Sequence, residues 1–363
     1  MTLGPLGDHV HEGPERSASG RRSRRPDDGI ADPSAGTVPS AAMVPSAAMV
    51  VHRVLAMSAR TFLLNDLGDE LAGDAPHSGT VDALVVAMGP RPLWAQSAIE
   101  SLHGTERRTD RTERIHQSRV AMRRIRSNLR TYRLLLDPSW GTALRAELAW
   151  YGNELGHSRD LELLAGVVAD RGPDVLAPDE VARLLAVVDW RRDAAGARIA
   201  ADQAGPRRVQ LTGQMMLLWD GPAFKAKATK PAVDILPPML RRTWHDVRGA
   251  ARRARRDPSD VHLHQLRIRL KDLRYGSETL ALVEGGPARK TARAAERLQS
   301  RLGDHHDIVF SIGWLEALAA EQADLADAAE RLVGRQRELA AETRKGWKRD
   351  FKEVERRWRR WQG

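Results

Sequence analysis

One pattern occurs twice in this chain, 148 residues apart: His116-Gln117-Ser118-Arg119-Val120 returns as His264-Gln265-Leu266-Arg267-Ile268. At that offset Ile115 pairs with Leu263, Met122 with Leu270, Arg123 with Lys271, Ile125 with Leu273 and Arg126 with Arg274. A second block trails each copy at nearly the same spacing. Leu155-Gly156-His157-Ser158-Arg159-Asp160 matches Leu302-Gly303-Asp304-His305-His306-Asp307. Two ordered matches at one spacing imply a duplicated unit, and pseudo-two-fold symmetry is expected.

The unit is helical. From about residue 51 the apolar spacing is that of helices almost throughout, Ala, Leu, Arg and Glu dominate, and β-branched alternation is absent. Candidate helices run over 51–72, 111–136, 140–156, 159–171, 178–203, 206–220, 235–256, 260–283, 287–303, 305–321 and 323–361. Pro and Gly pairs punctuate them, among them Asp137-Pro138, Gly205-Pro206, Pro237-Pro238 and Gly285-Gly286-Pro287. Residues 73–110 hold a further short candidate, 81–103, inside a loop-like region. Residues 1–50 are rich in Gly, Pro, Ser and charge, with a tandem VPSAAM, and read as a disordered tail. The expected fold is all-α, built of helical bundles, with a first half at about 51–220 and a second at about 221–363.

The repeated motif carries cations at a spacing normally given to leucine. On one helix His116, Arg119, Arg123, Arg126 and Arg130 fall in an arc of about 80° over roughly 20 Å. The apolar Ile115, Met122, Ile125 and Leu129 form an adjoining face, and His264, Arg267, Lys271 and Arg274 repeat the stripe. A solvated basic face is the ordinary fate of such a run. Against that, carboxylates at i+4 are almost missing from 115–136, like charges at that spacing cost helix stability, and the arrangement occurs twice. A row of cations suits a ligand with regularly repeated negative charge, since Arg gives bidentate contacts to phosphate oxygens and Lys a point charge. Histidine adds a donor whose charge rises below about pH 6.5.

Composition agrees. Lys+Arg number 58 against 48 Asp+Glu, a formal net charge of +10, which favours a polyanionic partner. There is no cysteine, hence no disulfide, zinc-thiolate site or thiol nucleophile. No apolar run approaches a membrane span, and the arginines of GRRSRRPDDG precede Pro-Asp-Asp rather than an apolar export segment, so cytoplasm is expected.

HxxRVxxRRxR, repeated as HxxRIxxKxxRY and trailed each time by an LGxxxD block, resembles the CHAD family, the conserved-histidine α-helical domain. The resemblance covers most of the chain from about residue 51. It implies two four-helix bundles related by pseudo-symmetry around a basic central groove that binds inorganic polyphosphate. Carried over by position, His116, Arg119, Arg123, Arg124 and Arg126 serve in the first copy, and His264, Arg267, Lys271, Arg274 and Tyr275 in the second. The halves differ where the first block has Arg159-Asp160 and the second His306-Asp307. Many relatives also carry a triphosphate-cleaving CYTH domain with an ExExK strand. Here Glu353-Val354-Glu355 runs into Arg356-Arg357 in a basic, Trp-bearing helix, so that domain is not expected.

The remaining candidates are weaker. GDHHD at 303–307 lacks a chelating HxxxH or HExxH, so no metal is expected there. Asp160 and Asp307 read as helix-start or bracing carboxylates that orient basic neighbours, with Arg159 and His306 in support. His262 reads as a bystander, and Trp347, Trp358 and Trp361 as packing of an amphipathic last helix. No Walker loop, dinucleotide glycine signature or nucleophile elbow is present. The expectation is a non-catalytic polyphosphate-binding protein that needs no cofactor. A nucleic-acid-binding protein, and a phosphate-polymer enzyme or its accessory subunit, are the alternatives. Storage granules, phosphate regulation and enzyme scaffolding are all open settings.

Overall fold

The computed structural model describes residues 44–66, 111–203 and 205–362. These hold ten α-helices and no strand: α1 Ala47–Asp66, α2 Arg111–Thr131, α3 Pro138–Arg171, α4 Pro178–Gln203, α5 Pro206–Asp220, α6 Ala232–Arg256, α7 Asp260–Glu284, α8 Gly286–Glu321, α9 Ala326–Thr343 and α10 Trp347–Gln362. The candidate helix 81–103 and most of the expected tail lie outside the described residues. Helix α1 begins inside the span read as tail. The second VPSAAM copy supplies Ala47, whose side chain is fully buried, so this end of the segment does have apolar surface to bury.

Several expected breaks are not breaks. Candidates 140–156 and 159–171 are one 34-residue helix, α3, and 287–303 and 305–321 are one 36-residue helix, α8. A helix-interior Gly costs only about 1 kcal/mol against Ala, which packing over a long helix outweighs. Helix α6 likewise continues through Pro237 and Pro238. Conversely, the single candidate 323–361 is two helices, divided at Gly346, which holds φ 86°. Asp137-Pro138 behaves as its chemistry dictates: Asp137 accepts hydrogen bonds from the N–H groups of Ser139 and Trp140, with Pro138 in the first turn of α3.

Contacts between the halves come in reciprocal pairs, as a two-fold axis requires. Helices α1 and α6 start side by side, Ala47 N–H donating to the Lys230 carbonyl and Ala232 N–H to the Pro45 carbonyl, both at 2.9 Å. Where α2 crosses α7, Ser127 donates to Asp272 at 2.9 Å, and the repeat-equivalent pair puts Arg124 over the Tyr275 ring at 5.5 Å. Arg130 donates to Asp272 at 2.8 Å, and its equivalent pairs Arg124 with Glu278 at 3.5 Å. Thr279 donates to Asn128 at 2.8 Å, and its equivalent brings Thr131 against Gly276. One apolar core spans both halves, and a satellite cluster joins Val168 on α3 with Leu315 at the matching position of α8.

This topology makes α2 and α7 central. Met122, Ile125 and Leu129 are buried as expected, yet Ser118, Arg119, Arg123, Ser127 and Asn128 are buried too, so α2 is enclosed on nearly every side. Elsewhere the first half is tied by a buried ion pair, Arg208 Nε donating to Asp66 at 3.0 Å, with the Tyr151 hydroxyl on the same carboxylate at 2.7 Å. Burial pushes the Asp66 carboxyl up, while Arg208 and Tyr151 pull it back.

The crossing requires Gly276. A Cβ there would sit 2.7 Å from Leu240 Cδ1 and 3.3 Å from Thr131 Cγ2. Gly276→Val is expected to cost about 1–3 kcal/mol by overpacking. Gly313→Ala, with nothing within 4 Å of the new methyl, should stabilise by up to about 1 kcal/mol. Denaturant midpoints of the two variants check this, and equal midpoints would refute the close crossing.

Candidate functional site

The two cationic stripes are largely interior, not the open face that a helical wheel suggests. Side chains of Arg119, Arg123, Arg267, Lys271 and Arg274 are all buried, Arg267 to 1 % exposure. His116 and His264 are partly exposed, as are Arg124, Arg126 and Arg130. Burying a cation costs several kcal/mol unless it is paired and hydrogen-bonded, so the surroundings of each one decide its role.

The first trailing block solves this problem for Arg119, and the second brings its glycine similarly close to Arg267. Arg119 Nη1 donates to the Leu155 carbonyl at 2.8 Å and lies flat on Gly156, where a Cβ would come within 3.2 Å of the same nitrogen. In the second half Arg267 lies on Gly303, its Nε 3.5 Å from such a Cβ. The Leu-Gly blocks are therefore cradles for the motif arginines, placed mid-helix on α3 and α8. Asp160 and Asp307 are correspondingly not helix-start residues. They sit in helix interiors, Asp307 buried and Asp160 half-buried, which corrects the helix-start role.

Asp160 is unusual. Burial pushes its carboxyl up from the ordinary 3.8 to about 7, and Asp307 adds to the rise, while Arg119 and Arg159 oppose it. The two blocks thus face each other near the axis, with Asp307 close enough to Asp160 to raise it and Arg119 beside Asp160. On the second side His264 and His306 meet, their Nδ1 atoms 3.3 Å apart and ring centroids 4.3 Å apart. The first half has Arg159 in place of His306, so the halves share a frame but not a chemistry.

Other predicted cations are claimed by protein carboxylates. Arg130 pairs with Asp272, Arg124 with Glu278, and Arg274 with both Glu278 at 3.0 Å and Glu296 at 2.7 Å. Tyr275 lies between Arg124 and Arg274, whose guanidinium carbons are 5.5 and 5.3 Å from its ring centroid. Its buried hydroxyl makes no hydrogen bond among the described residues, and neither do Nε and Nη1 of Arg123. Sequence reading missed Asp272 and Glu278 as partners of Arg130 and Arg124, because pairs across an axis leave no local spacing, and Glu296 because it lies on the next helix; the Arg274–Glu278 pair, at i and i+4, had the spacing to be found. It also missed Arg145 on α3, whose guanidinium is pushed below its usual range by burial and by Arg130 and Arg126. Arg145 sits outside both motifs, so nothing in the repeat marks it.

His305, the neighbour of His306, is structural. It bridges Asp260 at 2.9 Å and Thr343 at 3.0 Å, tying α7 and α9 to α8. His262 contacts the Asp257 carbonyl at 2.9 Å and serves the start of α7. Trp347, Phe351, Val354 and Trp358 are buried, which makes the Trp-rich tail a packed helix, with Glu353-Val354-Glu355 inside it rather than on a strand. Among the described residues no group of three or more His, Asp or Glu is placed to hold a metal ion, and no helix is long and apolar enough to cross a membrane.

The raised Asp160 pKa has a definite consequence. Below about pH 7 the folded chain holds a proton that the unfolded chain releases near pH 4, so stability falls as pH rises through that window, by at most about 4 kcal/mol. Asp160→Asn removes the loss. Denaturant titrations at pH 5 and pH 8 should show a smaller drop for the variant than for the parent, and equal drops would exclude a buried ionisable Asp160.

The CHAD domain model matches residues 95–316, which include both motifs and both trailing blocks. No curated protein matches the sequence. Among solved structures, PptA from Streptomyces chartreusis superposes with a TM-score of 0.58 at 18% identity, covering 85% of this chain and 99% of that one. The CHAD domain from the plant Ricinus communis superposes with a TM-score of 0.52 at 24% identity, over 67% of this chain and 82% of that one. With the motifs, their cradles and the all-helical architecture in agreement, the chain belongs to the CHAD domain family.

Proposed function

We propose that this is a non-catalytic inorganic polyphosphate-binding protein whose central helices hold phosphate oxyanions. The observation that carries the reading is a surplus of buried donors. Arg123 keeps Nε and Nη1 unbonded among the described residues, Arg124, Arg145 and Arg159 keep Nε so, and the Tyr275 hydroxyl adds another. Each desolvated donor without a partner costs about 1–3 kcal/mol, which an oxyanion can recover. Arg145, pressed by Arg126 and Arg130, points the same way, since an anion relieves like-charge crowding. Asp160 is half-buried with Arg119 and Arg159 beside it, and Asp307 is buried, a setting that supports binding rather than hydrolysis. A cytoplasmic setting, with polyphosphate granules as one place for such a protein, is part of this reading.

Arg119 and Arg267 are packed on the cradles, so their truncation disturbs the fold as well as the site. Arg123 and Lys271, which occupy equivalent positions in the two copies, are better test residues. Replacing both with Met keeps the bulk and removes two buried charges, a change that often leaves stability equal or higher. The double variant should unfold no earlier than the parent and bind long-chain polyphosphate at least about tenfold more weakly, or about 1.4 kcal/mol. Unchanged binding would discard the site. Incubation of the parent with polyphosphate and magnesium should release no orthophosphate, and release at catalytic rates would replace the binding role by an enzymatic one.

A further inference from the structure

Helix α6 carries a second concentration of cations that the repeated motif does not include. Its inner face, from Ile235 through Trp244 and Val247 to Ala254, is buried. Its outer face exposes Arg241, Arg248, Arg252 and Arg256. The last three stand four residues apart, a spacing at which like charges oppose each other directly. The helix dipole accounts for arginines in the last turn but not for Arg241 or Arg248. None of the four has an ion-pair partner among the described residues. Lys352 and Arg359, exposed on the adjoining α10, have none either.

Many exposed arginines elsewhere do have a carboxylate partner, although Arg289, Arg293 and Arg297 on α8 form a second run with none among the described residues. On α4, Arg183 pairs with Asp179 and Arg192 with Asp189. On α9, Arg331 pairs with Glu180 and Asp327, Arg335 with Asp174 and Glu338, and Arg337 with Glu316. Between Arg241 and Arg256, about 22 Å of helix, α6 carries one carboxylate, Asp246, off this face, and Arg255 reaches Glu355 at 3.5 Å, but the four arginines of the stripe have no such partner among the described residues.

The chemistry of this face narrows its ligand. Trp244 stacks inward on Trp358 at 5.0 Å and on Phe351 at 6.0 Å, so these rings are unavailable for stacking on bases or for entering a lipid surface. What the face offers is repeated guanidinium and ammonium charge, suited to a polymer of phosphates without bases. On the flank of the same helix, Arg242 lines a cavity with Arg130 of α2 and Arg269 of α7, and with the carboxylates Asp246 and Asp272. We infer that the outer face of α6 and α10 is a second phosphate-polymer contact surface, occupied by the part of a long chain that runs beyond the central helices. This inference rests on the polyphosphate reading of the central site. It makes chain-length preference a matter of linked contacts, the second site being engaged at high effective concentration once the first is filled.

The test uses the full chain with Arg241, Arg248, Arg252 and Arg256 all changed to Gln, and compares tripolyphosphate with long-chain polyphosphate. The expected result is at least about tenfold weaker long-chain binding near 0.15 M salt, with tripolyphosphate binding unchanged. The slope of log K against log salt for the long chain should shrink by about 3, the sum of four contacts at roughly 0.7 each. Lys352→Gln with Arg359→Gln, on the neighbouring helix, should produce a smaller loss of the same selective kind. Unchanged long-chain affinity and slope in both variants would overturn the second surface while leaving the central site standing. Equal loss for tripolyphosphate would overturn it also, since the face would then not act through chain length. Duplex DNA bound by the parent more tightly than long-chain polyphosphate, with that binding lost in the variant, would assign the face to nucleic acid instead. If the parent prefers neither polyphosphate over orthophosphate, the central reading fails first, and the two failures are told apart.

Discussion

Placing cations at the centre of a helical core is the constraint around which this fold is arranged. Helices α2 and α7 occupy the position where a bundle ordinarily concentrates leucine, and they bring Arg119, Arg123, Arg267 and Lys271 with them. Each guanidinium or ammonium must recover its lost hydration locally. Arg119 does so on a backbone carbonyl of α3, which it reaches because Gly156 has no side chain. The glycine in the middle of a long helix, costly by propensity, is what lets α3 approach α2 closely enough. Gly303 repeats the arrangement under Arg267, and the spacing of motif and block in the sequence is the trace of that contact.

Duplication alone would bring like charges together at the axis. Position 124 is Arg and its equivalent, 272, is Asp; position 130 is Arg and its equivalent, 278, is Glu. These divergences turn the crossing into two ion pairs, Arg130 with Asp272 and Arg124 with Glu278. The same drift sets Arg159 against His306 in the cradles, so one side of the centre presents a fixed charge and the other a histidine pair. Below about pH 7 Asp160 carries a proton, which removes a negative charge from beside Arg119 and Arg159.

The helical class, the repeat and the identity of the motif positions were readable in the sequence because each is a matter of spacing. Burial of the stripes was not. A helical wheel shows which residues share a face, and it cannot show that α2 is enclosed on its other faces as well. The merging of 140–156 with 159–171 is hidden for a related reason, since Gly156 and Ser158 read as a break unless the packing partner Arg119 is known. Asp160 looked like a cap because short polar residues favour helix starts, whereas its role is set by Arg119 and Asp307 from other helices. The four arginines of α6 were visible as letters, but their lack of carboxylate neighbours is a property of the folded surface.

The central claim is that repeated phosphate charge, rather than any single phosphate group, is what the protein recognises. The most direct measurement is a salt-titrated competition between long-chain polyphosphate and orthophosphate at equal total phosphate, using the unmodified chain. Recognition by several cations together predicts a steep, linear fall of log K with log salt and a large preference for the polymer. Equal competition by the two, with a shallow salt dependence, would contradict it.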